Sequence, residues 1–276
     1  MIRPTAGSLL LGASLMHASV QVQSDYQHGA AELRRTTDYD LSSLQLSASF
    51  SFAPRWTLEL AAPLRRIATR TEFRDPGGGL VEGLADPHFP DETLLGLADL
   101  STAIRFRLLG TTLPSEWLLD VRAGLYWPTG QIAGAASTAV QDARHQPMFF
   151  GNGTVDPMAD ALLIRFVGAF RLALMASLRA PLLQNSNGFR GPTLVGGSFS
   201  VDRDLGTRKV RLSAALSASR DAVGSSSFAG LTLFWLPALG WQVAVGSDLP
   251  LYVRGDEVEV SPAPSVRVSV SRALSL

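Results

Sequence analysis

The feature that most constrains the fold is the stretch 44–66, LQLSASFSFAPRWTLELAAPLRR. Leu44, Leu46, Ala48, Phe50 and Phe52 alternate with Gln45, Ser47, Ser49 and Ser51. After Ala53-Pro54-Arg55 the alternation resumes, with Trp56, Leu58, Leu60, Ala62 and Leu64 against Thr57, Glu59 and Arg65. Successive side chains of a strand point to opposite faces, so each half is a strand with one apolar and one polar side. The break between them has room only for a tight turn. The result is a β-hairpin with arms of about ten residues, the length a tilted strand needs to cross a bilayer. A soluble sandwich gives the same alternation, so the rest of the chain must decide the class.

Of the 276 residues 46% are hydrophobic and 17% charged, with 24 basic and 24 acidic side chains. That balance leaves no basic field for nucleic acid. No uncharged apolar run is long enough for a transmembrane helix. The nearest candidate, 161–183, carries Arg165, Arg171 and Arg179 at odd positions, against Leu162, Ile164, Phe166, Phe170, Leu172, Leu174 and Leu178 at even ones. A strand pair puts the three arginines on one face, whereas a helix would scatter them. The absence of Cys excludes a disulfide scaffold and a thiolate metal site.

Residues 1–23 read either as strand one or as the remnant of a leader, and the cleavage region of a leader is poorly formed. The period of two through Ser14, Met16, Ala18, Val20 and Val22, against His17, Ser19, Gln21 and Gln23, favours strand one with the first set on the apolar side. Long polar or Gly/Pro-rich connections are expected at about 25–40, 74–94 and 128–157, alternating with tight turns. About 12 strands result. Short turns at one end and long loops at the other are the asymmetry of bacterial outer-membrane barrels. Trp56, Trp117, Trp127, Trp235 and Trp241 all fall on the apolar parity near strand ends, as interfacial girdles require. The expected fold is therefore all-β, a single transmembrane antiparallel up-and-down β-barrel over residues 1–276.

Three short motifs carry a resemblance: GLADL (96–100) opening a strand, YWPTG (126–130) closing one and GNGTVDP (151–157) opening the next. Their order and spacing resemble the outer-membrane barrels of the MetA-pathway of phenol degradation family. Ala98 stands where that family's first motif usually has a second Gly, and the chain ends in Leu276 where such barrels often end in an aromatic. The resemblance implies a cell outer-membrane channel or transporter for small solutes, hydrophobic or aromatic ones among them, with the lipid bilayer and the solute as partners.

The inward parity is expected to carry Arg65, Arg105, Arg107, Arg122, Arg171, Arg179, Arg211 and Arg267, with fewer carboxylates, among them Glu59, Asp99, Asp120 and Asp248. Two readings stand side by side: a structural ladder of Arg–carboxylate pairs, and a net-positive constriction favouring anions. Asp86, His88, Asp91, Glu92 and His145 could be drawn into a metal site, but their spacing matches no ligand pattern. Residues 151–157 read as a turn with an Asp cap. His17 and Ser19 share one face, as in outer-membrane lipid hydrolases; the parity turns them to the lumen and no orienting acid is evident. The expectation is no enzyme, no metal and no cofactor, with a plugged structural or loop-binding barrel as the alternative. The oligomeric state is open.

Overall fold

The computed structural model describes residues 6–28, 31–84, 91–110, 116–130, 150–151, 153–185, 190–205, 209–221, 224–255 and 259–275. Its strands are β1 (Ser8–His28), β2 (Ala31–Ala53), β3 (Trp56–Arg74), β4 (Glu92–Leu97), β5 (Leu100–Leu109), β6 (Trp117–Trp127) and β7 (Asp156–Val167). They continue with β8 (Phe170–Arg179), β9 (Leu194–Leu205), β10 (Val210–Arg220), β11 (Gly224–Trp235), β12 (Trp241–Gly255), β13 (Glu259–Pro262) and β14 (Ser265–Ser275). All belong to one antiparallel sheet, closed by the pairing of β1 with β2 on one side and with β14 on the other.

Two positions in the wall are shared. β4 and β5 pair with β3 at residues 64–69 and 56–61, and β13 and β14 pair with β1 at 20–23 and 8–17. The 14 strands therefore occupy twelve positions, the expected up-and-down barrel. The second interruption falls at Pro262 and Pro264, which lack the N–H a ladder needs. Tight connections close one end: Ala53 pairs with Trp56 across Pro54-Arg55, and Val167 with Phe170 across Gly168-Ala169, where Gly168 takes φ +59°. A side chain at that φ would be strained, so glycine suits the position.

Where the barrel is girdled by apolar side chains, they face outward. Leu15, Leu46, Leu60, Ile104, Leu174 and Leu231 are all exposed on successive parts of the wall. Polar side chains of the same strands face inward, as lipid outside and a polar lumen inside dictate. Strands β5 to β8 have 10 to 12 residues, about one bilayer crossing. Strands β1, β2 and β3 have 21, 23 and 19, and their upper parts continue past the girdle.

That extension corrects two expectations. The loop expected at 25–40 is strand, paired without a break from His17↔Ser42 to His28↔Ala31. Its outward residues, such as Asp38, Asp40, Arg66 and Arg70, meet water, so the sequence reads as polar loop. Its inward face carries apolar side chains: Leu33, Tyr39, Ile67 and Phe73 are buried, and Ile67 packs with Ala98, Phe150, Leu41 and Leu94. Strand one also has the opposite facing. Leu11, Ala13 and Leu15 lie opposite Ala48, Leu46 and Leu44, so odd positions point outward and Met16, Ala18 and Val20 inward. The apolar run Ala18–Val22 belongs to the extension, where apolar means inside. The second connection ends earlier than expected, because β4 starts at Glu92; residues 131–149 of the third lie outside the described residues.

Candidate functional site

The lumen is built from cross-strand pairs. Directly opposed residues of an antiparallel pair share a face, and four arginines face a carboxylate in this way: Arg107 with Asp120, Arg122 with Asp160, Arg171 with Asp202 and Arg211 with Asp204. Arg107 holds Asp120 with both arms of its fork, Nε to Oδ1 at 2.8 Å and Nη2 to Oδ2 at 3.0 Å. Arg211 donates Nε to Asp204 Oδ1 at 2.8 Å, and Arg171 pairs with the buried Asp202. These three pairs crowd the end with the tight turns. Charged forks in such bidentate geometry fix side chains as well as neutralising them.

Higher up, Arg105 lies opposite Arg122, a like-charge juxtaposition that Glu59 resolves by bridging both. Arg122 Nη1 donates to Glu59 Oε2 at 3.2 Å, and its other arm holds Asp160. The chain Arg105–Glu59–Arg122–Asp160 links the neighbouring wall strands β5, β3, β6 and β7 at mid-height. Below it is a cavity of about 310 Å³, to which Arg105, Arg107, Arg171 and Arg211 contribute together with Leu162 and Ile164. Above it is a larger one of about 840 Å³, lined by Arg122 and Arg65 and by Met16, Leu41, Ile67, Phe150 and Met158. Arg267 donates Nη2 to Asp248 Oδ2 at 2.7 Å.

The three sequence motifs meet at the top of the upper cavity. The break between β4 and β5 at Ala98-Asp99 is bridged by Thr129, whose hydroxyl accepts from Leu100 N–H at 2.9 Å and donates to Ala98 C=O at 3.2 Å. Asp99 Oδ1 accepts the Gly130 N–H at 3.1 Å, and Gly151 packs so closely on Asp99 that a Cβ there would overlap Oδ1. Asp156, wholly buried, accepts from Thr154 Oγ1 at 2.6 Å and from Arg179 Nε and Nη2 at 2.8 and 2.6 Å. The Arg179 guanidinium also lies 4.1 Å over the ring of Tyr126. Both described ends of the β6–β7 connection are thus drawn in over the lumen.

The structure places all eight expected arginines, with Glu59 and Asp120, on the inner face. Four further carboxylates there were not expected: Asp156, Asp160, Asp202 and Asp204. Asp156, read from sequence as a turn cap, is an ion-pair partner. The missing signal was hairpin register. Counting outward from Gly168-Ala169 puts Arg171 opposite Phe166 and Asp160 opposite Ser177, which turns Asp160, Leu162, Ile164 and Phe166 inward. The same count turns Arg165 outward, contrary to the expectation that it shares a face with Arg171 and Arg179; its guanidinium lies 4.8 Å over the Trp117 ring. Seven of the eight arginines are ion-paired, and Arg65 is the exception.

All five tryptophans point outward, Trp56, Trp117, Trp235 and Trp241 beside the tight turns and Trp127 at the far end of β6. His17 and Ser19 also point outward, which corrects the lumen assignment. His17 Nδ1 is 3.1 Å from Ser42 Oγ, and Ser19 donates to Asp40 at 2.6 Å, so each is bonded to β2. Of the metal candidates, Asp86, His88 and His145 lie outside the described residues; Asp91 accepts the Thr71 N–H at 2.7 Å.

No family model matches the chain, and no curated protein matches its sequence. Among solved structures, the COG4313 outer membrane channel from Pseudomonas putida F1 superposes with a TM-score of 0.67 at 13% identity, over 98% of this chain and 96% of that one. The fold is that of an outer-membrane channel. The CymD monoaromatic hydrocarbon channel (TM-score 0.47, 9% identity, 99% and 90% covered) and the NanC porin (0.47, 8%, 92% and 98%) are more distant.

Proposed function

We propose that the protein works in the cell outer membrane as a channel for passive uptake of small solutes, and that it performs no reaction. The carrying observation is the pair of lumenal cavities, one lined by Arg105 and the other by Arg122 of the Arg105–Glu59–Arg122–Asp160 chain. A solute crosses by entering the upper cavity and parting charged side chains that are already neutralised in pairs, so the waist resists ions without carrying a strong field of one sign. The mixture of apolar walls and fixed polar groups suits solutes with an apolar body. The second and third long connections act as the gate, Gly130 and Gly151 near the ends of the third meeting Asp99, and the tryptophans anchor the barrel at the two membrane interfaces.

Single-channel conductance of the refolded protein in a planar bilayer under a salt gradient tests this reading. Small discrete openings with weak ion selectivity are expected. A folded barrel that stays silent under all solutes and voltages points instead to a plugged structural barrel or one that works through its loops.

A further inference from the structure

One inward arginine departs from the rule. Arg105, Arg107, Arg122, Arg171, Arg179, Arg211 and Arg267 are each locked onto a carboxylate. Among the described residues Arg65 has no hydrogen-bond or ion-pair partner, although it faces the same lumen and lines the upper cavity. Register explains why. Its cross-strand neighbours are Ser43 on β2 and Gly96 on β4, so no carboxylate stands opposite it. Asp99 is within electrostatic reach, but its Oδ1 is taken by Gly130 and its Oδ2 lies 3.8 Å from Arg179 Nη2.

We propose that Arg65 is the anchor of a solute-binding site in the upper cavity, and that the site takes small amphipathic monocarboxylates, an aryl carboxylate being the best fit. This rests on the channel reading for its physiological sense and deepens it by naming the solute class. A guanidinium offers two parallel donors in a plane that matches a carboxylate. Left unpaired in a partly apolar cavity, it stays hydrated until a ligand replaces that water with a charge-assisted pair. Arg179 is held by Asp156, so Arg65 offers one lumen-facing guanidinium with open donors, which matches a single carboxylate. Leu41, Ile67, Phe150 and Met158 supply apolar wall for the solute's body, and about 840 Å³ is ample for a substituted benzene ring.

The test is binding of benzoate and of benzyl alcohol to the full chain in detergent micelles, by calorimetry, for the wild type, Arg65→Gln and Arg65→Lys. Folding of each is checked by heat-modifiable gel migration. The expected result is benzoate binding weakened at least tenfold in Arg65→Gln and less in Arg65→Lys, with weak benzyl alcohol binding alike in all three. Equal benzoate affinity in wild type and Arg65→Gln overturns the proposal, as does no wild-type binding at millimolar benzoate. Loss of benzyl alcohol together with benzoate also overturns it, since the cavity's shape and not the charge would then be responsible. The same proteins in a planar bilayer separate the two readings. Benzoate binding by a barrel that conducts nothing supports the site and removes the channel. Conduction with benzoate binding insensitive to Arg65→Gln removes the site and keeps the channel.

Discussion

Strands β2 and β3 each run through two environments, and the comparison of their lower and upper parts explains much of the molecule. Between Leu44 and Phe52 the apolar residues face out and the serines face in. Between Leu33 and Leu41 the apolar Leu33, Tyr39 and Leu41 face in, while Asp38 and Asp40 face out. The period is two in both parts, but apolar side chains occupy even positions in one and odd positions in the other. Lipid draws apolar groups to the outside of a barrel, and water drives them back inside. Alternation therefore identifies a strand anywhere along the chain, but it identifies a face only once the surrounding medium is known.

The largest effect expected from this comparison is in the extension. Phe73 is 2% exposed and packs against Tyr26 with ring centroids 5.0 Å apart. Phe73→Ala should cost about 3–5 kcal/mol of local stability. The readout is new trypsin cleavage at Arg70 and Arg74 while the heat-modifiable migration of the barrel is kept; continued resistance would show that the extension has no apolar interior of its own. Next comes the girdle. Leu60, 47% exposed, should tolerate Arg poorly, with a loss of roughly 2–4 kcal/mol in urea unfolding from lipid vesicles. Ala68→Arg, on the same outer face but opposite Asp40, should fall within about 0.5 kcal/mol of wild type. Equal losses at both positions would place residue 68 inside the membrane and erase the boundary. The smallest effect is at the surface pair Arg34–Glu259, 3.2 Å apart with both side chains more than half exposed. Glu259→Gln should cost at most about 1 kcal/mol, less in high salt. A larger cost insensitive to salt would mean that this face is not in water.

The same boundary marks what could be read from the chain alone. The hairpin at 44–66 and the outward tryptophans were legible because they lie where the outside is lipid and the contrast with the lumen is sharp. The facing of strand one is misleading in the sequence because its most regular alternation, Ala18 to Val22, falls above the girdle. The loop expected at 25–40 failed for the same reason, polar side chains on a solvated strand being indistinguishable by composition from a loop. Within the lumen the arginines were legible from parity, but their partners were not. Asp160, Asp202 and Asp204 are fixed by counting across turns, and Asp156 by tertiary placement of a motif that is local in sequence. GLADL, YWPTG and GNGTVDP are separate motifs in the sequence; that Asp99, Thr129, Gly130, Gly151 and Asp156 come together is a property of the closed barrel.

The closing seam, where Ser8 lies opposite Ser275, has a consequence for how the protein is made. Every other boundary in the wall joins strands near one another in the chain, so those pairs can zip locally. The last boundary joins the two ends of the wall and must be searched for across nearly the whole sequence, the slow kind of contact. Until it forms, the free edge of β1 and that of β14 are open templates for any passing strand, and the girdle is bare. Assembly therefore depends on keeping those edges apart from other chains until they find each other, and the seam sets its pace.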